Sequence, residues 1–283
     1  MSAEKVVRNI SDTALWAAIY RAEETDRPDA LFRDRFARRL AGPRGEQIVA
    51  ALSSRHKHNW AWVMRTVLFD RFIEEEIGKG ADLVLNLAAG LDARPYRMRL
   101  PAGLTWFEVD LPELVAYKQQ ILAGEKPACA LERVALDLAD APARRELFAS
   151  INRRAKKVLV ITEGLLVYLT ADEAGAFAED LARQQSFQSW ILDVVSPGLL
   201  KMLQREVGSE LDRAGAPLKF APAEGPEFFG RFGWRTEAAV SPFGEAARRK
   251  RLPFLLKFFA LFPHPQRPKG NRPWSGVCLM KRG

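Results

Sequence analysis

Cysteine and histidine are scarce in this 283-residue chain: Cys129 and Cys278, and His56, His58 and His264. Two cysteines so far apart build neither a disulfide framework nor a zinc knuckle, and three scattered histidines argue against a metal site. His56 and His58 stand at i and i+2 on an expected helix, facing different ways. Both read as surface residues, and neither is assigned as a base. Long hydrophobic runs are missing too. The longest, Leu252 to Pro263, is broken by Lys257 and falls short of the roughly 20 residues a bilayer span needs. The opening MSAEKVVRNI lacks the apolar core of a secretion signal. These absences lead us to expect a reduced, cytoplasmic protein with no membrane span and no metal.

Charge is concentrated rather than spread. The formal net charge is +8. From Gly244 onward ten Lys or Arg residues face one acid, Glu245, so this tail carries +9 and the remainder −1. A basic tail suggests an acidic partner or simply a solvated face. Beside Arg248, Arg249, Lys250 and Arg251 the apolar stretch Leu252 to Phe262 is expected to cover a greasy or carrier-bound acid.

The pattern changes along the chain. Residues 1–80 read as helices: Ile10 to Glu24, capped by Asp12 or Thr13; Asp29 to Leu40; and a stripe of Trp60, Val63, Met64, Val67 and Leu68 that stops near Gly78. From Leu83 on, short apolar runs alternate with helical stretches. The runs are Leu83–Ala88, Leu104–Val109, Val134–Leu136, Val158–Ile161, Trp190–Val195 and Trp234–Val240. The expected helices are Leu111–Ala123, Ala141–Asn152, Ala171–Arg183 and Pro197–Leu211. Unbroken Val, Leu and Ile runs imply strands buried on both faces, and strand-helix alternation implies a doubly wound α/β fold with a mostly parallel sheet. Gly276 to Met280, with no helix after it, is expected to pair back on the preceding strand as an antiparallel edge. One domain is expected over 1–283: a helical extension to residue 80, a cofactor-binding core over 81–200, and a substrate cap with the final strands over 201–283.

In such sheets ligands bind at the carboxyl ends of the strands. The first run ends in Leu87-Ala88-Ala89-Gly90-Leu91-Asp92-Ala93, small residues that let the backbone turn and approach a ligand. The second ends in Asp110, placed to accept from both hydroxyls of a ribose unless it merely caps the helix after Leu111. The third ends in Asp137-Leu138, an acid for an adenine amino group and a leucine for the ring, with helix capping again the plain alternative. The fourth ends in Thr162-Glu163-Gly164. Asp92 would repel a pyrophosphate, so these acids suit a cationic nucleoside better, and S-adenosyl-L-methionine is the candidate.

The segment Asp82 to Met98, DLVLNLAAGLDARPYRM, resembles the signature of the leucine carboxyl methyltransferase-like family. Arg65-Thr66, Phe107 to Pro112, Asp137-Leu138, Glu163 to Leu169 and Arg27 to Phe32 resemble further family motifs in the family's order. The resemblance implies a class I methyltransferase fold of seven strands and the cofactor S-adenosyl-L-methionine. It implies Arg65 on the methionine carboxylate and Ala88 and Gly90 at the close approach. It further implies Asp110, followed by Leu111, on the ribose, Asp137 and Leu138 at the adenine, and Glu163 by the amino group and the transferring methyl. Ala88 stands for the family's first glycine, Ala93 for a threonine, and Pro95 interrupts the turn. The alanine methyl fits if the backbone there is not left-handed.

Methyl transfer from a sulfonium is an in-line displacement, in which orientation supplies much of the rate. A carboxylate acceptor arrives ionised and needs no base, whereas a hydroxyl usually does. With no histidine placed at the crevice, an ionised acceptor is expected, small or carrier-bound, with Glu163 and Tyr168 as the candidate catalytic residues. The competing classes are an NAD(P)-dependent oxidoreductase with a degraded loop, a nucleic-acid methyltransferase and a cofactor-binding protein without turnover. The oxidoreductase leaves Asp137 and Glu163 without a task. The nucleic-acid reading rests on the tail alone, with neither an Asn/Asp-Pro-Pro-aromatic motif nor a Pro-Cys pair.

Overall fold

The computed structural model describes residues 11–51, 59–258 and 272–283. His56, His58, His264 and the apolar run past Phe258 lie outside them. Three helices open the chain, α1 (Ser11–Thr25), α2 (Ala37–Ala51) and α3 (Asn59–Gly78). The strands β1 (Leu83–Leu87), β2 (Thr105–Asp110), β3 (Ala130–Ala135), β4 (Val158–Thr162), β5 (Phe187–Val195), β6 (Trp234–Val240) and β7 (Ser275–Arg282) form one seven-stranded sheet in the order β3-β2-β1-β4-β5-β7-β6. The helices between them are α4 (Arg94–Arg97), α5 (Pro112–Ile121), α6 (Ala141–Asn152), α7 (Ala171–Ala182), α8 (Pro197–Leu203), α9 (Ser209–Arg213), α10 (Pro242–Arg248) and α11 (Phe254–Lys257).

Burial on both faces of the sheet follows from the period-2 alternation of strands. Leu85, Phe107, Val160, Trp190 and Met280 point to the face covered by α6, α7 and the 3₁₀ segment Gly225–Phe232. Val84, Trp106, Leu159, Ile191 and Leu279 point to the face covered by Phe69, Phe72 and Ile73 of α3. On the first face Trp190 is fully buried, in edge-to-face contact with Phe229 and Trp234, and its indole N–H donates to Thr162 Oγ1 at 2.9 Å.

Four expectations need correction. No helix spans Asp29 to Leu40, because α2 begins only at Ala37. The intervening turn is held by side chains: Leu31 N–H donates to Glu24 Oε1, Asp34 N–H to Thr25 Oγ1, and Phe36 N–H to Asp34 Oδ1. These local bonds compete with helix formation. Asp12 and Thr13 lie inside the first turn of α1 rather than before it, and Asp12 pairs with Arg44 at 3.0 Å. The last strand does pair antiparallel with β6, but its other edge pairs antiparallel with β5, so β6 and not β7 is the edge. The third strand also begins earlier than its apolar run. As the opposite edge it alternates exposed and half-buried residues, so only part of it reads as apolar.

Trp190→Ala is expected to cost about 3–5 kcal/mol, the range for deleting a buried aromatic, read from urea denaturation. A cost near zero would show that the aromatic cluster is not a support of the sheet.

Candidate active site

The carboxyl ends of β1 to β5 open into one cavity of about 1220 Å³. Arg65, Ala88, Gly90, Asp110, Leu111, Asp137, Leu138, Glu163 and Tyr168 all line it, as does Asp92. The sequence-derived set is therefore brought together in full.

The loop after β1 is tied to the end of β2. Ala89 N–H donates to the Val109 carbonyl at 3.1 Å, and Gly90 N–H to Asp110 Oδ2 at 2.6 Å. Asp110 Oδ1 accepts from Leu111 N–H at 2.8 Å, while Leu111, not Asp110, is the N-cap of α5. Burial raises the Asp110 carboxyl above its ordinary range, and the Gly90 and Leu111 N–H groups restrain that rise. Each carboxylate oxygen accepts more than one bond, so both keep capacity toward a ligand. Asp137 is not a helix cap either. Its Oδ1 accepts from Ala139 N–H at 2.9 Å, and Asp140 caps α6 through Ala143 N–H.

Ala88 has φ 53°, which breaks the condition set for its methyl group. A left-handed alanine is strained by about 1–2 kcal/mol. Pro95 does not interrupt the turn as expected: it sits in the first turn of α4, where its missing N–H is not needed.

Of the acids expected together at the crevice, Asp92 and Glu163 are threaded on arginines, whereas Asp110 and Asp137 accept only backbone N–H groups among the described residues. Arg94, 2% exposed, places Nε 2.6 Å from Asp70 and NH1 2.8 Å from both Asp92 and Glu163. Arg97 takes Asp70 in a two-pronged contact at 2.8 Å. Arg65, lying over the Trp62 ring, reaches Glu163 at 3.1 Å and Asp193 at 3.4 Å. Four carboxylates thus meet three guanidinium groups, an excess of one negative charge. Burial acts to raise Asp92 and Glu163, but Arg94 foremost outweighs it and holds both below the ordinary range. A carboxylate held so low is a poor proton acceptor, which counts against Glu163 as a base.

Sequence reading missed Arg94, Asp70 and Asp193. Asp193 stands inside the run Trp190–Val195, two residues before β5 ends, so inspecting strand ends alone passes it over; an acid interrupting an apolar run is the signal that could have found it. Its Oδ1 accepts from Gly164 N–H at 2.7 Å. Burial raises its pKa, against the opposing pull of Arg65. Gly164 has φ 70°, and a Cβ there would stand 3.3 Å from the Arg65 guanidinium, so glycine lets that cation approach. Tyr168 hydrogen-bonds with Thr13, and burial pushes its phenol up. Among the described residues no cluster of His, Cys, Asp or Glu is placed to hold a metal, and no helix is long and apolar enough to cross a membrane.

Solved structures share this architecture. A DUF574 family protein from Streptomyces avermitilis superposes with a TM-score of 0.60 at 13% identity, covering 94% of this chain and 97% of that one. A protein of Thermobifida fusca YX, described as a methyltransferase, gives 0.60 at 16% identity over 98% and 96%. The fold is that of the class I S-adenosyl-L-methionine-dependent methyltransferases. The family model described as leucine carboxyl methyltransferase matches residues 14–182, and the chain belongs to that family. A protein of Parafrankia sp. (strain EAN1pec), named as an S-adenosyl-L-methionine-dependent methyltransferase, is 31% identical over 286 residues, covering 95% of this chain and 90% of that one. Another so named, from Rhodococcus jostii (strain RHA1), is 39% identical over 173 residues, 58% of each chain. The protein is an S-adenosyl-L-methionine-dependent methyltransferase.

Ala88→Gly is expected to raise stability by about 0.5–1 kcal/mol, the relief of the left-handed backbone less the added freedom of the unfolded chain. Chemical denaturation reads the sign, and a loss would show that the methyl packs usefully. Because Asp92 titrates lower in the folded chain, its contribution is fully present above the unfolded value near pH 4 and is lost as pH falls toward the folded one. Asp92→Asn should therefore be less stable than wild type by roughly 1–3 kcal/mol at neutral pH, with the gap closing as pH falls below about 4.

Proposed function

We propose that the enzyme transfers the methyl group to an oxygen, a carboxylate or a hydroxyl, of a small-molecule or carrier-bound acceptor. The observation that carries this reading is Asp193 beside Arg65 on the acceptor side of Glu163. An ionised carboxylate acceptor needs no base. Asp193, raised by burial, offers a proton acceptor to a hydroxyl. The expectation of an ionised acceptor rested on no histidine being placed at the crevice to act as base; Asp193 offers a base of another kind, so a hydroxyl acceptor stands beside the carboxylate. An amine is served poorly, because the excess negative charge stabilises its ammonium form, which has no lone pair to give.

The residues present fit the cofactor. Asp110 keeps acceptor capacity for ribose hydroxyls, and Gly90, left-handed at φ 51°, brings bare backbone close to them. Asp137 and the half-buried Leu138 and Leu111 flank the place for an adenine. Arg65 would take the methionine carboxylate, and Glu163, fixed by two arginines, would face the ammonium. When bound, the cofactor supplies an electrophilic methyl on a sulfonium. Glu163 holds orientation rather than moving a proton, Asp193 receives the proton of a hydroxyl acceptor, and Tyr168 stays neutral and walls the site against water. The segment 201–283 is assigned as the substrate cap within a single domain, and the two free, buried thiols suit the cytoplasm.

Calorimetric titration with S-adenosyl-L-methionine and S-adenosylhomocysteine tests the donor placement. Asp110→Ala should weaken both about 10- to 100-fold, as expected for lost hydrogen bonds to a charged group. Matched acids, phenols and amines on one skeleton then test the oxygen reading; label found only in the amines would sink it.

A further inference from the structure

The cavity exceeds what the donor requires. Pockets for one drug-sized ligand run to roughly 300–1,000 Å³, and this one encloses about 1220 Å³. Sheet order divides it. The ends of β1, β2 and β3 carry Gly90, Asp110 and Asp137, the half assigned above to the donor's ribose and adenine; its methionine end is assigned to Arg65 and Glu163, at the boundary. The ends of β4 and β5 and the start of β7 lie on the other side of the point where the order reverses.

Over that second half the wall is mainly apolar, with Leu199, Met202 and Leu203 from α8, Phe243 from α10, Leu256 from α11, and Trp274 just before β7. All but Trp274 are only half-buried, so part of their apolar surface is left uncovered beside the cavity. The chain after α9 is pinned to the turn that carries Tyr168, since Lys219 and Phe220 N–H both donate to the Val167 carbonyl at 2.7 and 3.1 Å. That holds the segment after α9 beside Tyr168, where Pro217, Leu218 and Lys219 line the same cavity. Leu256 shares α11 with Phe254, 84% exposed, and Phe258 follows at 63%; these are the exposed large hydrophobics among the described residues.

We propose that this half is the acceptor subsite, and that the acceptor is an amphiphile, one reacting oxygen on an extended apolar body, bound beside the donor and not in its place. The proposal rests on the oxygen-methyltransferase reading above. A polar polyacid or a nucleoside would leave its own polar groups unpaired against such a wall, which is costly. An apolar body instead gains by covering it.

The probes are straight-chain carboxylates from hexanoate to dodecanoate, titrated calorimetrically into protein saturated with S-adenosylhomocysteine. The expected result is one site per chain, with affinity rising about fourfold for each added methylene and no displacement of S-adenosylhomocysteine. Met202→Asp should flatten that dependence and weaken dodecanoate at least tenfold while S-adenosylhomocysteine still binds, which also reports that the variant is folded. Affinity independent of chain length, displacement of S-adenosylhomocysteine by dodecanoate, or a series indifferent to Met202→Asp would each overturn the proposal. Failure of S-adenosylhomocysteine to bind wild type would instead overturn the donor placement on which it is built.

Discussion

Arg94 is the cation on which the site depends. A guanidinium 2% exposed is expensive to bury, and it is tolerated because Asp70, Asp92 and Glu163 surround it within 2.6–2.8 Å. Those three acids come from α3, from the loop after β1 and from the end of β4. One side chain therefore sets the spacing of the N-terminal helices, the loop beside the proposed donor half and the strand end beside the acceptor. Removing it would leave three carboxylates facing one another with too little compensation. Glu108 follows the same rule one strand over: buried, it is matched by Lys118 and Arg133, each at 2.8 Å.

This wiring changes the electrostatic reading. A crevice of free acids would bind any cation and would hold the cofactor without discriminating orientation. A network of four carboxylates and three guanidinium groups keeps a net preference for a cationic ligand while spending most of its charge on fixing geometry. Orientation is what an in-line displacement needs most. The carboxylates divide by environment: Glu163, gripped twice, stays ionised and fixed, whereas Asp193, held mainly by one N–H and a more distant Arg65, retains affinity for a proton.

Much of this was legible in the sequence because parallel strands advertise themselves as apolar runs and end in the residues that matter. Asp110, Asp137 and Glu163 were found that way. What escaped reading depended on contacts across the chain. Asp29 to Leu40 has helix-like spacing, yet Glu24, Thr25 and Asp34 supply side-chain bonds that hold it as a turn, and no local pattern reveals those partners. Arg94 sits in a segment read for its glycine and small residues, so its charge passed as ordinary. The left-handed backbone at Ala88 was posed as a condition but not decided by the sequence, because alanine does not itself announce positive φ as glycine in that place does.

The reversed last strand accounts for the proposed acceptor half of the cavity. Had β7 run parallel to β5, its start would lie at the far end of the sheet and the segment before it could not reach the crevice. Running antiparallel, it brings Trp274, Ser275 and Gly276 to the same end as Asp193 and Glu163. The junction is locked: Ser196 N–H donates to the Trp274 carbonyl at 2.8 Å, Trp274 N–H donates to Ser196 Oγ at 2.9 Å, and that hydroxyl donates to the Arg272 carbonyl at 2.9 Å. Gly276 completes it, for a Cβ there would meet the Trp274 ring at 2.4 Å. A glycine and a serine thus hold an indole against the proposed acceptor half, and the direction of one strand decides which part of the chain walls it.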